Sequence, residues 1–175
     1  MDQLGTKRLV AIPVWSATRR NHAFEHATIA ILFKRRSRVL PVVARSDHRG
    51  FFVRGPFSVE EVESAAAEAL VRLRAGERHL AVTHLCGTNI AATGILAGAA
   101  ALAAGSRNPR SDWPAALAVA MLATALAGRA GLALQRHVTT DSDLGSAVIR
   151  GVHAMRSGSG RSQTVRVSVS YETNP

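Results

Sequence analysis

Leu85 to Gly105 is a run of 21 residues without a single charged side chain. Coiled as a helix it would be about 31 Å long, the thickness of a bilayer's hydrocarbon core. A polar loop, Ser106 to Asp112, follows and carries Arg107 and Arg110. A second uncharged run, Trp113 to Gly128, comes next and extends past Arg129 to Leu134. Arg129 would have to snorkel or find a partner. Two such runs joined by a short loop predict a transmembrane helical hairpin over residues 85–135.

The residue types within the runs support a membrane hairpin over a buried soluble one. Gly94 and Gly98 form a GxxxG pair, and Ala116, Ala120, Thr124 and Gly128 make a small-residue stripe at four-residue spacing. Small residues let helices approach where lipid removes the hydrophobic drive between them. The stripes suit contacts between the two helices or between protomers, so a homo-oligomer is open. Ala and Gly are weak drivers of insertion, which keeps the soluble hairpin as the competing expectation.

The hairpin divides the chain into 1–84, 85–135 and 136–175. In the first part residues 17–36 read as a helix that Ser16 or Thr18 could cap, with Lys34, Arg35 and Arg36 at its cation-favouring end. Phe24, Ala27, Thr28 and Ile31 share one face; His22, His26, Ile29 and Phe33 share the opposite one. Residues 38–54 read as a β-hairpin turning at 46–50. Ser58 with Glu61 is a capping box opening a helix to about Ala75, and Gly76 stops it. Residues 79–84 read as a short strand with Leu80, Val82 and His84 on one face. In the last part Asp141 or Ser142 caps a helix running to Met155, and Ser157 to Ser162 is a linker. Thr164 to Glu172 alternates as a half-buried strand. That strand can join the N-terminal sheet. The expected fold is α+β: a small α/β part with an inserted hairpin of two transmembrane helices.

Charge bears on partners and topology. The chain holds 22 Lys and Arg against 12 Asp and Glu, a net charge of +10. Such a surplus attracts anionic headgroups or nucleic acid. No zinc-finger spacing and no base-stacking aromatic motif is present, so lipid is the simpler partner. The cluster Lys34, Arg35, Arg36 and Arg38 suits a headgroup-contacting surface or a plain solvated face. Arg72, Arg74, Arg78, Arg129 and Arg136 flank the hairpin, and the positive-inside rule then puts both termini in the cytoplasm and the hairpin in the inner membrane. The two loop arginines weaken that asymmetry. One cysteine, Cys86, excludes an intramolecular disulfide. Leu9 to Trp15, broken by Pro13, is too short for a signal peptide, so export is not expected.

The sharpest chemical signal is His22-Ala-Phe-Glu25-His26. Histidines four apart share a helix face and can reach one ion, and Glu25 lies beside that face. The His-x-x-Glu-His order resembles the zinc motif of pitrilysin-like metallopeptidases, the inverzincins. That resemblance implies zinc held by both histidines and Glu25 as general base. It also implies a third ligand from a later helix, where Glu61 and Glu68 imitate the family's spacing. Helical projection, however, turns both away from the core stripe. His84, on the buried side of the expected strand, is the better third metal ligand, or else a core histidine. Cys86 could be a soft ligand, a nucleophile or packing. His137, Asp141 and Asp143 follow the hairpin and could converge on the same edge; Asp141 also suits a helix cap.

A broader resemblance spans residues 20–140. His22-Ala-Phe-Glu25-His26-Ala27-Thr28, then Cys86-Gly87-Thr88-Asn89 leading into the hydrophobic pair, then Thr139-Thr140, are similar to a family of small bacterial membrane proteins of unknown function. Phe24 stands where that family's signature has Leu. The resemblance implies the membrane topology and no activity.

Two functions follow as expectations. One is a membrane-embedded zinc metallohydrolase of peptidase type, using Glu25, His22, His26 and His84 on membrane-protein or peptide substrates. The other is a non-catalytic membrane protein whose basic part binds headgroups or a partner. A haem or redox role for the histidines is a third.

Overall fold

The computed structural model describes residues 13–37, 39–105, 111–155 and 162–171. Arg38, Arg107 and Arg110, most of the expected linker at 157–162, and Glu172 lie outside them. In chain order the elements are α1 (Val14–Arg36), β1 (Val43–Asp47), β2 (Gly50–Gly55), α2 (Val59–Arg74), a 3-10 turn (Arg78–Ala81), α3 (Gly87–Gly105) and α4 (Trp113–Leu134). A π turn (Gln135–Thr139), β3 (Ala147–Met155) and β4 (Gln163–Tyr171) complete the chain. Two compact units result: one built from the chain up to Val82 and from Thr139 onward, the other from Thr83–Val138.

The first unit is a mixed α/β structure around a four-stranded antiparallel sheet in the order β1-β2-β4-β3. β4 comes from beyond the inserted segment, yet lies next to β2, with Phe51 opposite Val167 and Val53 opposite Val165. The alternation of Val165, Val167, Val169 and Tyr171 puts all four in the core. Phe24 and Ile31 of α1, and Val62, Ala66 and Leu73 of α2, belong to the same buried cluster. Phe24 and Phe51 meet edge to face at 5.2 Å and are both fully buried. Burying each is worth roughly 1.5–3 kcal/mol.

Local chemistry sets the ends of the helices. Ser58 accepts from the Glu61 N–H, and the Glu61 carboxylate accepts from the Ser58 N–H, which closes the expected capping box. Gly76 adopts φ +91° and terminates α2, its N–H bonded to Leu73 O while Glu77 N–H reaches Arg72 O. α1 begins a turn before the expected caps, with Pro13 at the cap position and no side-chain cap. Thr18 Oγ1 instead donates to Val14 O at 2.7 Å inside the helix.

Two expected elements are corrected. Residues 79–84 are a 3-10 turn and a bend, because the N–H groups of Leu80 and Val82 are spent locally on Glu77 O and His79 O. The expected helix to Met155 is a loop followed by β3. Val148, Ile149 and Val152 are β-branched and Gly151 sits at a bulge, so pairing with β4 outweighs the four-residue spacing that suggested a helix.

The second unit is α3 packed along α4. Both helices are long and apolar enough to span a membrane. Ile90, Ile95, Leu102, Leu117, Met121, Leu122 and Leu126 are all exposed. Only Asn89 of α3, and Ala127 and Gly131 of α4, are buried at the seam. A Cβ on Gly131 would fall 1.4 Å from Asn89 Oδ1, so the missing side chain makes room for the Asn89 amide. Gly94, Gly98 and Gly128 meet nothing within 4 Å, and the GxxxG pair is not the hairpin's own contact. Beyond Leu134, Gln135 is buried and works like a strand edge: its amide accepts from Thr83 N–H at 3.0 Å and donates to Thr83 O at 2.9 Å.

Candidate metal centre

α1 holds His22 and His26 one turn apart, with ring centroids 4.3 Å apart. Each ring is fixed through the same nitrogen. His26 Nδ1 lies 2.8 Å from Ala81 O, and His22 Nδ1 lies 3.0 Å from Thr139 O. A carbonyl only accepts, so both Nδ1 atoms carry the proton. In the neutral rings the lone pair is then on Nε2. Metal-binding histidines are oriented in this way, with one N–H on a carbonyl and the other nitrogen on the ion. His26 is 3% exposed.

The anchoring carbonyls were not foreseen. Ala81 and Thr139 lie next to the two points where the chain leaves and re-enters the first unit. The same face of α1 makes further bonds beside Thr139. Arg19 donates to Thr140 O at 3.1 Å, and Asp141 N–H reaches Arg19 O at 3.2 Å. The only hint in the sequence was the Thr139-Thr140 pair, since backbone acceptors leave no mark of their own.

The remaining candidates fall in different places. Glu25 is buried, and its carboxylate accepts from Ser46 Oγ of β1 at 2.5 Å. His84 is exposed in the bend before α3, and its carbonyl accepts from Asn89 Nδ2 at 3.4 Å; the strand that was to bury it is absent. Cys86 is buried. Cys86, at the start of the inserted segment, offers a thiol of the kind that joins histidines around a metal ion. Glu68 is a surface charge, paired with Arg35 at 2.7 Å and Arg72 at 3.3 Å. Its hydrogen bond from Arg35 leads the causes that hold its carboxyl below the usual range. Glu61 serves the cap of α2 and pairs with Arg36. Two members of the basic cluster therefore have acidic partners on α2. Asp141 caps no helix. It accepts from Arg20 Nε at 3.4 Å and from Asp143 N–H at 3.1 Å. His137 is exposed in the π turn.

Comparison with known proteins places these residues in a wider group. Residues 17–152 match a domain of unknown function, DUF6391. An uncharacterised protein of Picosynechococcus sp. is 32% identical over 136 residues, covering 70% of this chain and 65% of that protein. The chain thus spans just under two thirds of that relative's length. No solved structure matches. With more than half of its length matched, including His22, His26, Cys86 and Thr139, the chain belongs to the DUF6391 family.

Proposed function

We propose that the protein is an integral membrane protein whose hairpin spans the bilayer and whose α1 histidines hold a zinc-type ion together with Cys86. The observation that carries this reading is the shared orientation of the two rings: each has Nδ1 on a backbone carbonyl. Cys86 is a reasonable third ligand on covalent grounds. It follows Ala81 by five residues, so even a fully extended chain keeps it within about 17 Å of the carbonyl that anchors His26. Imidazole and thiolate together suit zinc or copper rather than magnesium or calcium. The exposed apolar surface of α3 and α4 supports insertion, since soluble monomers do not leave such patches bare. Arg72, Arg74, Arg78, Arg129 and Arg136 favour a cytoplasmic location for both termini.

Three protein ligands would leave a zinc ion one position for water, and the ion would supply the acidity that lets such a water attack a carbonyl near neutral pH. Hydrolysis of a membrane-bound peptide, with Glu25 accepting the proton, is the reaction class this composition fits. The hydrogen bond from Ser46 to Glu25 favours a second reading, in which the ion is held without turnover and Glu25 ties α1 to β1.

Elemental analysis of detergent-purified protein tests the site. One zinc per chain, lost in both His26→Ala and Cys86→Ser, is the expected result. A folded wild type without stoichiometric metal would overturn the metal centre. Peptide hydrolysis lost in Glu25→Gln while zinc is retained would select the hydrolase. Zinc with no hydrolysis in wild type would select the second reading.

A further inference from the structure

Trp15 is 62% exposed and Val14 63% exposed, at the start of the helix that carries the histidines. A bare indole is costly in water, and tryptophan is characteristic of the membrane–water interface, where an apolar body and a polar N–H are both accommodated. Its position on α1 gives the exposure a direction. Trp15, Arg19, His22 and His26 recur at i, i+4, i+7 and i+11, which is one face of a helix. The last three of these side chains bond to Thr140, Thr139 and Ala81. They therefore reach the chain beside the two points where the inserted segment departs and returns. The face that begins at Trp15 is thus the one bonded to the residues that flank the inserted segment in sequence. The opposite face, with Phe24, Ala27 and Ile31, is committed to the core.

We infer that Trp15, with Val14, inserts into the headgroup layer of the bilayer that the hairpin crosses, and so pins the N-terminal end of α1 to the membrane surface. The inference rests on the membrane reading above.

The chain has two tryptophans, Trp15 and Trp113, both exposed, so replacing either by Phe leaves the core intact. Reconstitution of Trp113→Phe and Trp15→Phe into phosphatidylcholine–phosphatidylglycerol vesicles with brominated acyl chains gives each indole its own report. In Trp113→Phe, the expected result is loss of Trp15 emission to lipids brominated near the headgroup, with protection from aqueous acrylamide. Trp15 emission quenched by acrylamide and unmoved by bromine, while Trp113 in Trp15→Phe is quenched by bromine, would overturn the anchor and leave the hairpin in the membrane. Neither indole responding to bromine would remove the membrane reading and the anchor together.

Discussion

Asp47 ends β1 and ties three parts of the first unit together. Its two carboxylate oxygens accept from both terminal nitrogens of Arg166, at 2.7 and 2.9 Å, and its carbonyl accepts from Asn21 Nδ2 at 2.8 Å. Arg166 is 8% exposed and lies over the Phe52 ring at 4.2 Å. The hydrogen bond from Arg166 is the chief reason that the Asp47 carboxyl titrates below its ordinary value of 3.8. A carboxyl that is more acidic folded than unfolded stabilises the fold above its unfolded pKa, and that contribution disappears as pH falls through the folded one. Asp47→Asn should therefore lower stability at neutral pH by about 1–2 kcal/mol, a modest loss because water screens a partly exposed pair. The gap to wild type should close as pH drops below the ordinary aspartate range. Thermal melts of both proteins in detergent across that range check it; a gap independent of pH would mean that the carboxylate's charge is not what matters.

At the scale of the elements, one close contact marks the hairpin seam. Asn89 Oδ1 is buried with no N–H or O–H donor and lies against Gly131, where a side chain has no room. Gly131→Ala should push the Asn89 amide out of its place and off His84 O, and cost about 1–3 kcal/mol, as overpacking does. Gly98→Ala, into open space, should be nearly silent. Melting temperatures of the two variants in detergent distinguish them, and equal effects would place the seam elsewhere. This seam was not legible in the sequence. Gly94, Gly98 and Gly131 are alike as letters, and only the facing helix decides which one matters. By contrast, α2 could be read from Ser58, Glu61 and Gly76, because caps are local chemistry. β4 could be read from strict alternation. β3 could not, since Val148 and Val152 satisfy helical spacing as well as strand spacing at one face, and the pairing partner that decides is far along the chain. The His22–His26 pair was visible for the same local reason as the caps. The carbonyls that orient the pair were not, and the strand on which the preference for His84 depended is absent.

For the molecule as a whole, the first unit closes across its own insertion. His26 bonds Ala81 O, His22 bonds Thr139 O, and the two rings are 4.3 Å apart, so the departing and returning chain ends are held close together. The core formed by α1, α2 and the sheet draws on residues outside 83–138. Replacing 83–138 with a short Gly/Ser linker should therefore leave a chain that folds cooperatively, with mixed α/β circular dichroism and the β2–β4 pairing retained. That chain should leave the carbonate-resistant membrane fraction, because the two long apolar helices are gone. If the proposed centre is right, it should also lose zinc, because the proposed ligand Cys86 goes with them. The three readouts separate the claims. Zinc retained at wild-type affinity would place the third ligand within the first unit. Persistence in the carbonate-washed membrane would mean that the hairpin is not what holds the protein there. Failure to fold, in a linker long enough to span the gap, would show that the hairpin contributes to the first unit's stability as well as its location.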